Sequence, residues 1–163
     1  MEEFNPDCEN CAALCCFALA FDRGDMFGHD KDAGVPCHRL DGNACSIHDK
    51  LADRGYHGCV AFDCLGAGQR TTALFDPTWR EDRSVTRAMI AAFSGMRALQ
   101  EARLMLALAM RGGPVALTDD QKHEAAQWDQ RLQSIAEDVD AVSRYDSKPL
   151  HEWLQSLAPM VTR

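Results

Sequence analysis

The chain has little positive charge to spare. Lys and Arg number 17 against 25 Asp and Glu, for a formal net charge of −8. A nucleic-acid partner is therefore not expected, because phosphate binding needs a basic face. Long hydrophobic runs are also missing. Leu104–Met110 is only about a third of the length needed to cross a bilayer, and no membrane association is expected. The chain opens Met1-Glu2-Glu3 without the basic region of a signal peptide, and the apolar stretch after Cys11 breaks at Asp22. A cytoplasmic location is the expectation, and there thiols stay reduced.

Catalytic signatures are equally scarce. Gly66-Ala-Gly68-Gln69-Arg70 lacks the Gly-Lys-Ser/Thr ending of a phosphate loop and reads as a turn. His123-Glu124 has no second histidine one turn away, so it is no zinc-protease motif. Spacing suggests no Ser-His-Asp set, and no catalytic acid, base or nucleophile can be named. Internal repeats and low-complexity tracts are absent too. A free-standing enzyme is not the favoured reading.

Cysteine is abundant, but only in one part of the chain. Cys8, Cys11, Cys15 and Cys16 crowd nine residues, Cys37, Cys45, Cys59 and Cys64 follow, and none comes later. Residues 1–64 also hold twelve of the acids and only five of the bases. An acidic, thiol-rich segment suits a cation. A disulfide framework fits poorly without an export signal, and adjacent Cys15 and Cys16 rarely pair with each other. Buried, unligated cysteine accounts for one or two of the eight at most. Metal binding is the favoured reading, since a Cys-x2-Cys pair places two thiolates on one ion at low strain. All eight cysteines are candidate ligands, with His38 and His48 as weaker ones. Spacing alone leaves zinc and an iron–sulfur cluster both open.

The fold expected is mainly α: a Cys-rich metal-binding head over residues 1–70, packed on an α-helical body over 71–163, the two forming one compact unit. Cys8 to Phe21 reads as a helix capped by Asp7, with Cys8, Cys11 and Cys15 inside an arc of about 60°. A ligand loop ending in a helix is the alternative. Residues 22–44 carry no apolar period. Ser46-Ile-His-Asp49 has capping-box form ahead of a short helix stopped by Gly55, and Tyr56–Phe62 suits a short extended piece. In the body, Asp76-Pro77 predicts the start of a long helix over about 78–111, ended by Gly112-Gly113-Pro114. Thr118-Asp-Asp-Gln121 is a second capping box, opening a helix over about 119–143. Its apolar residues Ala125, Trp128, Leu132, Ile135, Val139 and Val142 are spaced three and four apart. The two helices predict an antiparallel hairpin, with a short helix over about 149–160 closing the chain. The methionines at 89, 96, 105 and 110 read as core.

The order Cys8-x2-Cys11-x3-Cys15-Cys16, then Pro36-Cys37-x2-Leu40, Cys45-Ser-Ile-His48, and Arg54 leading to Cys59 and Cys64 resembles the YkgJ-type cysteine-cluster family. Those proteins are regarded as zinc- or iron-chelating domains. The same cysteine order occurs in flagellin lysine methylases of the FliB type, whose cysteines hold an iron–sulfur cluster. The likeness covers residues 8–64, about a third of the chain. It departs from the family at Arg54-Gly55, where Arg-Pro is usual, and in having four residues rather than three before Cys59. Phe62–Gln69 is also similar to cysteine-rich heads that precede pentapeptide repeats in some bacterial proteins, although no such repeat follows here.

The resemblance implies a bacterial metalloprotein carrying an iron–sulfur cluster, with [4Fe-4S] favoured, for electron transfer or redox sensing through another protein as partner. Alternatives are a zinc-braced interaction module and a protein that buffers or delivers metal.

Overall fold

The computed structural model describes residues 2–111 and 117–157. The fold is mainly α, as expected. Among the described residues, seven α-helices and one two-stranded antiparallel sheet run in the order α1 (Leu14–Ala18), β1 (Leu40–Asp41), β2 (Ala44–Cys45), α2 (His57–Ala61), α3 (Ala67–Thr72), α4 (Thr86–Met110), α5 (Asp119–Ile135), α6 (Val139–Ser143) and α7 (Lys148–Ser156).

Helix α4 is the element the rest packs on. Met89, Ala92, Phe93, Met96, Leu99, Ala102 and Leu106 are all buried, and α1, α3, α5 and α6 lie against it. Burial recurs every three or four residues, as a helix with one core stripe requires. The two polar residues buried in the middle of α4, Gln100 and Arg103, both have partners, whereas Thr86 Oγ1 and Arg97 Nε of the same helix are buried without one. Gln100 Nε2 donates to Leu65 O at 2.9 Å, and Arg103 donates to Glu3 Oε2 at 2.7 Å and Asp129 Oδ1 at 2.8 Å. Of the methionines read as core, Met89 and Met96 are fully buried and Met105 packs partly buried against the core, whereas Met110, at the end of α4, is 42% exposed.

The long helix starts later than Asp76-Pro77 suggests. Thr78 to Asp82 is a closed turn, in which Glu81 accepts from the backbone N–H of Thr78 at 2.7 Å and its hydroxyl at 2.9 Å. Asp82 is extended (φ −133°, ψ 113°), and its side chain accepts from the Ser84 N–H. A 3₁₀ turn then leads into α4. This detour buries Trp79, whose ring stacks on Phe17 of α1 at 3.8 Å.

The helix expected over 119–143 is divided. Its capping box forms as read, with the Thr118 hydroxyl accepting from Gln121 N and the Gln121 side chain accepting from Thr118 N. But α5 stops at Ile135, and an extended Asp138 caps a new helix by accepting from Ala141 N at 2.7 Å. The break lets α6 cross α4 at Gly95, where a Cβ would overlap Val142 O. Helix α7 carries Pro149 in its first turn and buries Leu150. Gly112-Gly113-Pro114 and the end of the last expected helix, 158–160, lie outside the described residues.

The head is folded differently from the N-terminal helix reading. Only Leu14–Ala18 is helical. Ala13 before it is left-handed (φ 58°), and Cys8 and Cys11 lie on a loop, so the ligand-loop alternative is the one adopted. Leu14 and Phe17 point into the core, which turns Cys15 and Cys16 the other way. The segment Ser46–Gly55 forms two 3₁₀ turns without the expected side-chain cap, ending at a left-handed Gly55. Tyr56–Phe62 is not extended: His57–Ala61 is helical.

Candidate metal centre

One cavity of about 400 Å³ is lined by all eight cysteines. Gln69 of α3 holds the first loop at both ends of Pro6, accepting from Asp7 N at 3.2 Å and donating to Asn5 O at 2.9 Å. Ala12 is fixed on both of its backbone polar groups. Its N–H donates to Thr72 Oγ1 at 3.0 Å, and its carbonyl accepts from Trp79 Nε1 at 2.7 Å. Cys11 is thereby set against α3, where a Cβ on Gly68 would lie 2.7 Å from Cys11 Sγ and 3.9 Å from Cys64 Sγ. Gly68 leaves room for Cys11 Sγ, which occupies the space its side chain would take, while Cys64 Sγ stands at ordinary contact distance. The turn reading of Gly66–Arg70 therefore misses its function, which is to form a wall of the cavity.

The opposite wall hangs from α1. Cys37 N donates to Cys16 O at 2.9 Å, and the hairpin β1–β2 pairs Leu40 with Cys45. Lys31 sits beneath, 6% exposed, its ammonium donating to the carbonyls of Phe17, Leu19 and Asp32. These contacts satisfy the end of a five-residue helix that cannot cap itself, and they hold a positive charge near Cys15, Cys16 and Cys37.

Burial pushes the thiols of Cys8 and Cys11 up, with the neighbouring Cys15 adding to both, and lifts Cys59 to about 11. Cys15 and Cys16, with Sγ atoms 3.9 Å apart, hold one S–H between them. That shared proton lowers Cys15 to about 7 and raises Cys16. The mutual repulsions centre on Cys15, which acts on Cys8, Cys11, Cys16 and Cys59. Cys8 also feels Cys64, whereas Cys16 and Cys59 both feel Cys37 and Cys45 as well. Burial keeps most of these thiols protonated in the empty cavity, so a metal that binds there displaces their protons, and thiolate suits zinc or iron.

Of the two histidines read as weaker candidates, His48 lines the cavity but is well exposed, with Nδ1 3.7 Å from Asp49 Oδ1. His38 is not among the cavity residues. It stands with Cys37 and His29, their ligand atoms all within 4.8 Å of one another. His29 was missed by sequence reasoning, since residues 22–44 have no period to place it. Its Nδ1 is 3.0 Å from the hydroxyl of buried Tyr56, and its Nε2 is 3.8 Å from Cys37 Sγ. Burial, with the nearby His38 and Arg39, pushes the His29 imidazole down, toward the neutral form that binds metal.

The fold and this site describe a helical protein with a thiol-lined cavity competent to bind metal. The chain is 37% identical over 102 residues to the uncharacterized protein YybG of Bacillus subtilis (strain 168). That match covers 61% of the chain but 37% of YybG, so the chain spans well under half the length of this relative. No protein-family model and no solved structure matches. Among the described residues, no helix is long and apolar enough to cross a membrane.

Proposed function

We propose that the eight-cysteine cavity holds an iron–sulfur cluster, [4Fe-4S], and that the protein works in electron transfer or redox sensing with another protein as its partner. The convergence of eight thiols on about 400 Å³ of space supports this reading. Four thiolates on a single zinc stand about 3.8 Å apart, from a Zn–S bond of about 2.3 Å, and enclose nothing but the ion. A cavity this large accommodates a group of several atoms. Its apolar lining, including Leu19, Phe21 and Phe93, keeps water from a redox centre and tunes its potential. Cys8 and Cys15, both exposed, bring the thiol shell to the surface where an electron would leave. The YkgJ-type resemblance, with its FliB-like cysteine order, points the same way.

Within this reading the chain's own residues have defined roles. The cysteines supply thiolates, Lys31 offsets part of their charge, and the Thr72 and Trp79 bonds to Ala12 fix the first ligand loop. A cluster bound there would supply one-electron chemistry.

One observation favours a second reading. The 3.9 Å between Cys15 and Cys16 Sγ is close to the edge expected for two ligands on one tetrahedral zinc. In that case the head is a zinc-braced interaction module.

Purification without oxygen, followed by an absorption spectrum and analysis for iron, zinc and acid-labile sulfide, separates the two. A broad band near ~400 nm with about four irons and four sulfides per chain supports the cluster. One or two zincs without sulfide ends the redox reading in favour of the brace.

A further inference from the structure

The thiol cavity does not account for His29 and His38. Cys37 lines the cavity, but neither histidine does, so the two imidazoles approach Cys37 from outside its wall. The three ligand atoms lie within 4.8 Å of one another, and the two imidazole rings are 4.0 Å apart between centroids at 72°.

The distances suit a single ion. An imidazole nitrogen and a thiolate on one tetrahedral zinc stand about 3.6 Å apart, given bonds of about 2.0–2.1 Å and 2.3 Å. His29 Nε2 and Cys37 Sγ are 3.8 Å apart. The support behind His29 is also that of a ligand. Tyr56, 4% exposed, is placed for its hydroxyl oxygen to accept from Nδ1–H, which leaves the Nε2 lone pair aimed at Cys37. The Phe21 ring, perpendicular to the imidazole with centroids 5.0 Å apart, confines it further. A metal-bound histidine is typically held at its far nitrogen in this way. His38 is exposed, so its ring can swing the remaining distance of about 1 Å into a tetrahedral site.

We propose that His29, Cys37 and His38 form a second, mononuclear metal site on the outer wall of the head, taking one borderline-soft divalent ion such as Zn²⁺. Three protein ligands leave a fourth position, and exposed His38 turns it toward solvent. An open site of this kind exchanges its ion readily, in contrast to one enclosed by four thiolates. Cys37, belonging to both walls, gives an ion held outside a ligand already inside the cavity.

Co²⁺ is the probe, added to the full chain purified without oxygen with its cavity contents intact. Wild type should take up one equivalent more than the His29→Ala/His38→Ala double variant, with the thiolate-to-cobalt absorption and visible bands of a tetrahedral site. The exposed single variant His38→Ala should bind that equivalent at least tenfold more weakly while keeping the wild-type circular dichroism spectrum. Iron and sulfide already present should be unchanged in both variants, and any zinc lost should not exceed the one equivalent of this site. Equal uptake by wild type and double variant overturns the proposal, and so does loss of the cavity metal together with the extra equivalent in His38→Ala. Wild type without iron or sulfide that still takes up the histidine-dependent equivalent would end the cluster reading and leave this site standing.

Discussion

Gly68 shows how a single missing side chain can shape the site. By helix propensity alone alanine there would favour α3 by roughly 1 kcal/mol. Its Cβ, however, would fall 2.7 Å from Cys11 Sγ, inside the contact distance, with Cys64 Sγ at 3.9 Å. Gly68→Ala should therefore leave the circular dichroism spectrum intact while displacing a ligand. The expected loss of metal affinity is on the order of 10- to 100-fold, as for other changes that misplace a ligand. Competition with a chelator measures it, and unchanged affinity would remove Cys11 from the ligand set.

The thiols predict a pH response of the metal-free protein. Burial raises Cys59 from an ordinary 9.0 to about 11, with Cys15, Cys37 and Cys45 adding to it. A pKa higher in the folded state than in the unfolded chain contributes stability that is complete below the unfolded value and disappears as pH rises through the folded one. The melting temperature of reduced, metal-free protein should thus hold up to about pH 9 and fall between about 9 and 11. Cys59→Ser should flatten that fall. An alkaline limb as steep as the wild type's in the variant would refute the assignment.

At the scale of elements, the crossing of α6 over α4 depends on Gly95. Val142 O occupies the place of a Cβ, and because this atom is backbone it cannot rotate aside. Gly95→Ala must push α6 off α4, and overpacking of this kind costs about 1–3 kcal/mol. Denaturant titration should show a lowered midpoint with little change in slope, whereas wild-type stability would mean α6 is not held there. The crossing also explains what could not be read from the chain. Val139 and Val142 continue the three–four spacing of Ala125 to Ile135, so apolar periodicity runs on through Asp138. Only the N-cap chemistry of Asp138 marks the break, and an aspartate between apolar positions reads equally well as a solvent-facing residue. The Thr118–Gln121 box and the Gly55 stop were legible because each is settled by local hydrogen bonding. Trp79 and the late start of α4 were not, because a tertiary stack on Phe17 decides them. His29 was hidden for the same reason: only the packing of Tyr56 and Phe21 gives it a direction.

Considered as a whole, the molecule has an uneven core. The cluster of buried apolar residues draws on Ala12 to Ala18 and then on Ala67 to Leu150, and nothing between 19 and 66 contributes a fully buried member. In that stretch Leu51 and Tyr56 are buried, and Lys31 is buried as a charge, while Leu40, Phe62 and Cys64 pack only on the edge of the core. Loop backbone with so little apolar burial does not recover its conformational entropy by hydrophobic means, since each ordered residue costs about 1–2 kcal/mol. Four of the eight thiols, Cys37, Cys45, Cys59 and Cys64, belong to that stretch, which makes metal–thiolate bonds the natural source of the missing stability. Stripping the metal with a chelator under reducing, oxygen-free conditions should therefore divide the protein in two. Amides from 19 to 64 should exchange with solvent within seconds to minutes, while those of α3, α4, α5 and α6 stay protected, and returning the metal should restore the first group. If the whole chain lost protection together, the helical body would depend on the head. If nothing changed, hydrogen bonds such as those of Lys31 and the β1–β2 hairpin would suffice to hold the head, and the cysteines would not act as its structural brace.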